Sequence, residues 1–213
     1  METESYFKQV RLVGGNLALE FVNTQAGPLD APPDIDTLDG YQDLVDWSRQ
    51  VGTITDRQVE ALTMTAREHP AAASSVFRKA TRMRSYLWEI FSAWAHEQQP
   101  DAPLLDLLRD DAAIALRYAR LSRVGEVFGW DWAGCNELSA PVWPIAHAAV
   151  ELVRSSSLTR VKQCGSCRFL FVDTSKNGSR RWCSMEDCGK TVKMSRYVAR
   201  RSASRALARS GET

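Results

Sequence analysis

Several absences set the first limits on this 213-residue chain. No stretch approaches the roughly 18 uninterrupted apolar residues of a membrane span, so no membrane partner is expected. Residues 1–10 carry neither the basic nor the apolar region of a secretory signal, and a cytoplasmic protein is the expectation. Histidine is scarce: His69, His96 and His147 stand far apart. There is no nucleophile elbow, phosphate loop or paired-histidine metal motif. Acids such as Asp110 and Asp111 read as a solvated helix face, so no enzymatic activity is expected. An excess of charge of one sign is missing too, since 27 Lys and Arg face 26 Asp and Glu, a formal +1. The remaining composition, 44% apolar and 25% charged, is globular. The length allows one domain, or one domain with a small appendage.

The near-zero charge is an average over two unlike parts. Residues 160–213 hold 13 Lys and Arg against 4 Asp and Glu, a net of +9. Residues 1–159 hold 14 against 22, a net of −8. Such asymmetry points to nucleic-acid or membrane contact by the basic part, or else to an acidic body neutralised by its own tail. Four of the five cysteines fall in the basic part, spaced Cys164-x2-Cys167-x15-Cys183-x4-Cys188. Cys135 stands apart and reads as a buried apolar side chain.

The acidic part reads as mostly helical. The run at 17–22 fits a short buried helix or a strand, and the prolines at 28–33 mark a loop. Thr37 or Asp39 is expected to cap a helix bearing Tyr41, Leu44, Val45 and Trp47. Thr55 with Gln58 forms a capping box for the next. A long helix is expected from Ser74 to about His96, and another after Pro103. Around Gly125 the apolar period falls toward two, which predicts a hairpin over 118–132. Ser139 and Pro141 then open a last helix. Six of the seven tryptophans lie in this part. Trp130, Trp132 and Trp143 are candidates for a small-molecule effector pocket, with core packing the alternative.

The cysteine spacing predicts one structural zinc ion. Thiolates must converge in a tetrahedron about 2.3 Å from zinc, and a Cys-x2-Cys turn brings two of them to one apex. Residues 169–173 read as a strand, 175–179 as a turn and 180–182 as the returning strand, a hairpin that would bring Cys183 and Cys188 back to the first pair. Disulfides are disfavoured without an export signal, and an iron–sulfur centre is the remaining alternative. The segment after Cys188 reads as a helix. Val192, Ala199, Ala203 and Ala206 form a narrow apolar stripe. Lys190, Lys193, Arg196, Arg200, Arg201, Arg205 and Arg209 surround it, and Arg180 and Arg181 can extend the basic surface. DNA is the leading partner, with RNA or an acidic protein as alternatives. A solvated helix is the plain reading.

These residues also carry a family resemblance. Cys164-x2-Cys167, then Phe169-Leu-Phe-Val-Asp173-Thr-Ser, Arg180-Arg-Trp-Cys-Ser-Met185 and Cys188-Gly189 resemble the CGNR zinc finger. Gly15-Asn-Leu-Ala-Leu-Glu-Phe-Val-Asn-Thr24 looks like the opening motif of the ABATE domain that commonly precedes that finger. The resemblance implies a bacterial stress-induced transcription regulator with a treble-clef-like finger, and Cys164, Cys167, Cys183 and Cys188 as its zinc ligands. The name-giving Cys-Gly-Asn-Arg reads Cys188-Gly189-Lys190-Thr191 here, so no role passes to the family's Asn or Arg. The expected fold class is α+β: a mostly helical N-terminal domain with a small hairpin over 1–158, then the four-cysteine finger and basic helix over 159–213. The first would sense a ligand or mediate homo-oligomerisation, and the second would engage DNA.

Overall fold

The computed structural model describes residues 12–195, 197, 198 and 201. The expectations placed on Arg196, Ala199, Arg200, Ala203, Arg205, Ala206 and Arg209 lie outside the described residues.

The run at 17–22 is a helix, α1 (Leu17–Val22), because its start is capped twice over. The Asn16 side chain accepts from the Ala18 amide at 2.9 Å. The Glu20 carboxylate reaches back to the amides of Val13 (3.0 Å) and Gly15 (2.9 Å). The glycines there are dictated by space and backbone. A Cβ on Gly14 would lie 2.9 Å from that of Leu19, and Gly15 has φ +71°. Burial pushes the Glu20 carboxyl upward, against the hydrogen bonds from 13–15 that favour its charged form. Ala18, Leu19, Phe21 and Val22 are all buried, so α1 is apolar on nearly every side and sits inside the protein.

The other helices pack round it. After the short strands β1 (Gln25–Ala26) and β2 (Ile35–Asp36) come α2 (Tyr41–Gln50), α3 (Asp56–Glu68), α4 (Pro70–Ala95) and α5 (Ala102–Tyr118). The hairpin β3 (Arg120–Val124) and β4 (Val127–Asp131) follows, then a 3-10 turn, Ala140–Val142, leading into α6 (Trp143–Arg154). Phe21 and Trp47 meet at 5.3 Å between ring centroids. Leu44, Leu62, Leu87, Ile90, Phe91 and Ile145 complete the centre of the core. Thr55 and Gln58 form their capping box. The cap of α2 is Gly40 and not Thr37 or Asp39, because the Asp43 carboxylate takes the amides of both Asp39 and Gly40. Thr37 instead hydrogen-bonds the Thr24 carbonyl. The long helix begins four residues early, at Pro70, a residue suited to a first helical turn.

The last sheet corrects the expected hairpin over 169–182. Strand β6 (Leu170–Val172) pairs backward with β5 (Val161–Gln163), in the register Val161↔Val172, Lys162↔Phe171 and Gln163↔Leu170. Residues 180–182 form no strand. Asp173 supplies the reason. Its fully buried carboxylate accepts from the Ser175 amide and hydroxyl, the Arg180 amide and Lys162 Nζ. The chain therefore wraps round a buried anion instead of laddering back along β6. The architecture is the expected α+β class: helical, with three two-stranded antiparallel sheets among the described residues and a four-cysteine cluster toward the C-terminal end.

β6 also joins the cysteine segment to the helices. Leu170 and Val172 belong to the helical core, whereas Phe171 packs with Cys164 and Cys183. The Asn23 side chain, at the end of α1, donates to the Leu170 carbonyl (2.8 Å) and accepts from its amide (2.9 Å). The Val172 amide donates to Gly14 O at 2.8 Å.

Burial alone would raise the Asp173 pKa, but its hydrogen bonds from Lys162, Ser175 and Arg180 outweigh burial and hold it well below the carboxylate range. A depressed pKa stabilises the fold above the unfolded value of about 3.9 and ceases to do so as pH falls through the folded value. Asp173→Asn is expected to lower unfolding free energy by about 1–3 kcal/mol near neutral pH, the cost of leaving buried donors unmet. Denaturant titrations at a series of pH values check this: the gap to wild type stays constant above about pH 5 and narrows in acid.

Candidate metal centre

Each cysteine is placed by a different local device. Cys164 follows β5, and its amide donates to Phe169 O at 2.8 Å, closing the Cys-x2-Cys knuckle. Cys167 is held from the helical side by a bridge to Pro28, and the next amide, of Arg168, donates to Gly27 O at 3.2 Å. The Gly165 amide donates to Arg181 O at 3.0 Å, which fastens the knuckle to the segment leading into Cys183. Cys188 sits in a wide helical turn, Met185–Gly189, capped by the Ser184 hydroxyl, which accepts from the amides of Glu186 and Asp187. Gly189 lets that turn close: a Cβ there would lie 3.0 Å from the Met185 sulfur and 3.3 Å from the Trp182 ring.

The four Sγ atoms lie within 4.8 Å of one another. Cys167 and Cys183 are 3.7 Å apart and Cys183 and Cys188 3.6 Å. A sulfur tetrahedron drawn about 2.3 Å from a central ion has edges of about 3.8 Å, so the spacing suits a single four-coordinate ion. A disulfide would need sulfurs near 2.05 Å, and all five cysteines are free. Cys164 and Cys183 are buried, while Cys167 and Cys188 are half-buried.

The thiols titrate as one group. Hydrogen bonds from the Cys167 and Cys183 thiols hold Cys164 far below the ordinary thiol range. The bond to Cys164 is the main influence pushing Cys167 up to about 12. Cys183 is raised by the same bonds and Cys188 chiefly by burial. Cys164 is thus the thiol of the four that ionises most readily. Metal ligands bind as thiolates, so metal entry releases thiol protons.

The basic residues divide by role. The Arg180 guanidinium donates to the carbonyls of Val13 (3.0 Å), Trp182 (3.0 Å) and Cys183 (2.5 Å) and lies 4.1 Å over the Phe171 ring. It is thus engaged in holding the metal loop to the N-terminal segment. Arg181 is exposed, with its guanidinium 5.6 Å from the Trp182 ring centre. Lys190, Lys193 and Arg201 are exposed on the helix that continues from Gly189. Met194, Tyr197 and Val198 are also more than half exposed there, so this helix leaves apolar as well as basic groups in solvent. Val192, the described member of the anticipated stripe, is half-buried.

The three tryptophans expected as one pocket stand in different surroundings. Trp130 is 43% exposed on β4, paired with Leu121. Trp132 is buried and its Nε1 donates to Ala115 O at 2.8 Å. Trp143 stacks on Tyr118 at 4.3 Å and lines a cavity between α4 and α5. Sequence reasoning missed the Trp88–Arg168 contact, in which the indole donates to Arg168 O at 3.2 Å and the guanidinium lies 4.6 Å over the ring. It missed Asn23 as well. Neither contact has a local signal, because the partners are 80 and 147 residues apart.

Cys188→Ser, at a half-buried ligand that opens the smallest cavity, is expected to cut metal affinity by more than about 100-fold, the upper range for losing an outer-sphere partner. Competition against a chromophoric chelator measures it.

Comparison with known families agrees with this geometry. The family model of the CGNR zinc finger matches residues 160–201. The ABATE model, described as "Putative stress-induced transcription regulator", matches residues 15–156. A search of curated proteins finds no match. With most of its length covered by the one model and its metal site by the other, the chain belongs to the ABATE family and ends in a CGNR zinc finger.

Proposed function

We propose that the protein is a DNA-binding transcription regulator in which a zinc-loaded finger and its basic helix engage DNA and the helical body is the sensing or interacting part. The observation that carries this reading is the basic helix leaving the metal centre. Cys188 fixes its start, and Lys190, Lys193 and Arg201 stand exposed along it. Arg181 stands exposed beside them, and residues 160–213 as a whole carry a net +9. Phosphate neutralisation by such a surface releases counterions, which makes binding tight at low salt and weak at high salt. The family assignment supports a regulator. This reading assigns one zinc ion per chain, supported by the four converging thiolates, a donor set that structural zinc commonly takes. No described helix is long and apolar enough to cross a membrane, and the site of action is the cytoplasm.

Fluorescence anisotropy with duplex DNA tests the reading. Affinity is expected to fall at least tenfold between about 50 and 200 mM salt, with a log–log slope near −0.9 per phosphate contacted. Lys190→Glu/Lys193→Glu is expected to weaken binding at least tenfold and flatten the slope by about two. A preference for structured RNA over duplex DNA would reassign the partner, and no salt-dependent binding to either would overturn the reading. Elemental analysis is expected to find one zinc per chain.

A further inference from the structure

We infer that the cleft between α4 and α5 is a binding site for a small carboxylate with an apolar, ring-sized body. The inference deepens the reading of the helical body as the sensing part. The cleft has a volume of about 250 Å³, below the roughly 300–1,000 Å³ of pockets for drug-sized ligands. Its walls are apolar: Val76 and Met83 from α4, Leu107 and Ile114 from α5, and Trp143 at the start of α6.

The polar groups in the lining are unequally matched. The buried Tyr86 hydroxyl donates to Oδ2 of the half-buried Asp111 at 2.6 Å, so the one carboxylate in the lining is engaged, and the two cations beside it leave the lining net positive. Lys79 and Arg82 have no such partner. They lie three residues apart on α4, hence on one face, both exposed and both lining the cleft, and neither makes an ion pair or hydrogen bond among the described residues. Trp143 is 3% exposed, yet its indole N–H makes no hydrogen bond among the described residues, unlike those of Trp88 and Trp132. An apolar cleft with two cations and one spare donor is matched by an anion carried on an apolar body, not by a cation or a neutral polar solute. Ionised carboxylates are the common small anions that combine both features, and they accept from guanidinium, ammonium and indole N–H groups alike.

The position adds a consequence. Further along α4, Arg84 bonds Thr24 and Asp36, Trp88 bonds Arg168 next to the metal ligand Cys167, and Ser92 bonds Gln163 in β5. One side of the cleft is therefore the helix that braces the metal knuckle.

Isothermal titration of the full-length, metal-loaded protein with naphthoate tests the site. Naphthalenemethanol and naphthylmethylamine serve as neutral and cationic comparators. Saturable binding of naphthoate is expected, about tenfold or more tighter than either comparator. Lys79→Gln/Arg82→Gln changes two exposed side chains and is expected to lose that preference while circular dichroism and thermal unfolding stay as in wild type. Ile114→Asn, at an exposed wall residue, is expected to weaken all three compounds. Absence of saturable naphthoate binding, equal binding of the three compounds, or an unchanged preference in the double variant would each overturn the assignment. The titration contains no DNA, so a failure of DNA binding leaves its outcome untouched.

Discussion

A three-residue strand holds this protein together. β6 turns Leu170 and Val172 into the helical core and Phe171 into the cluster of cysteines, so one alternating strand is a wall of both. Its pairing with β5 is short, and a two-stranded ribbon of that length is marginal alone in water. What fixes it is the helical body. Asn23 takes both backbone groups of Leu170, and Gly14 O takes the amide of Val172. The knuckle beyond β5 is in turn braced by Gly27, Pro28 and Trp88. The first pair of ligands is thus tied directly to the helical body, and the second pair meets it across the knuckle.

The charges follow from the same arrangement. A chain with so many cations in its last quarter would be poorly held if all of them faced solvent. The structure instead commits Arg160, Lys162 and Arg180 to backbone carbonyls and to the Asp173 carboxylate, where each closes a turn of the metal loop. Among the described residues from 160 on, the cations left exposed are Lys176 in the loop after β6 and Arg181, Lys190, Lys193 and Arg201 on and beside the outgoing helix. Positive charge close to the four sulfurs therefore does structural work, and positive charge further along the chain is available to a polyanion.

Much of this was legible in the residues, and the exceptions have physical reasons. Cysteine spacing marks ligands because metal coordination constrains chain separation directly. The capping box at Thr55 and the hairpin turn at Gly125 are local too, and the structure contains both. The helix cap at Gly40 was misassigned because several side chains nearby could serve as cap and only packing selects Asp43. The hairpin after Cys167 was misassigned for a deeper reason. Its alternating pattern is real, but pairing direction was settled by a buried carboxylate whose partners come from both sides in sequence. The surroundings of the tryptophans are not legible, because periodicity shows that a residue is buried without showing what it faces. Contacts such as Asn23 with Leu170 leave no local trace at all.

The central claim is that metal site and helical body share one cooperative core through β6. Amide hydrogen exchange, followed by mass spectrometry with and without a chelator, tests it most directly, because it reads the protection of α1 and of the cysteine segment separately. On this account, metal removal raises exchange in 161–172 and also in α1, whose end residue Asn23 holds Leu170. Faster exchange confined to residues beyond 160, with α1 as protected as before, would contradict it.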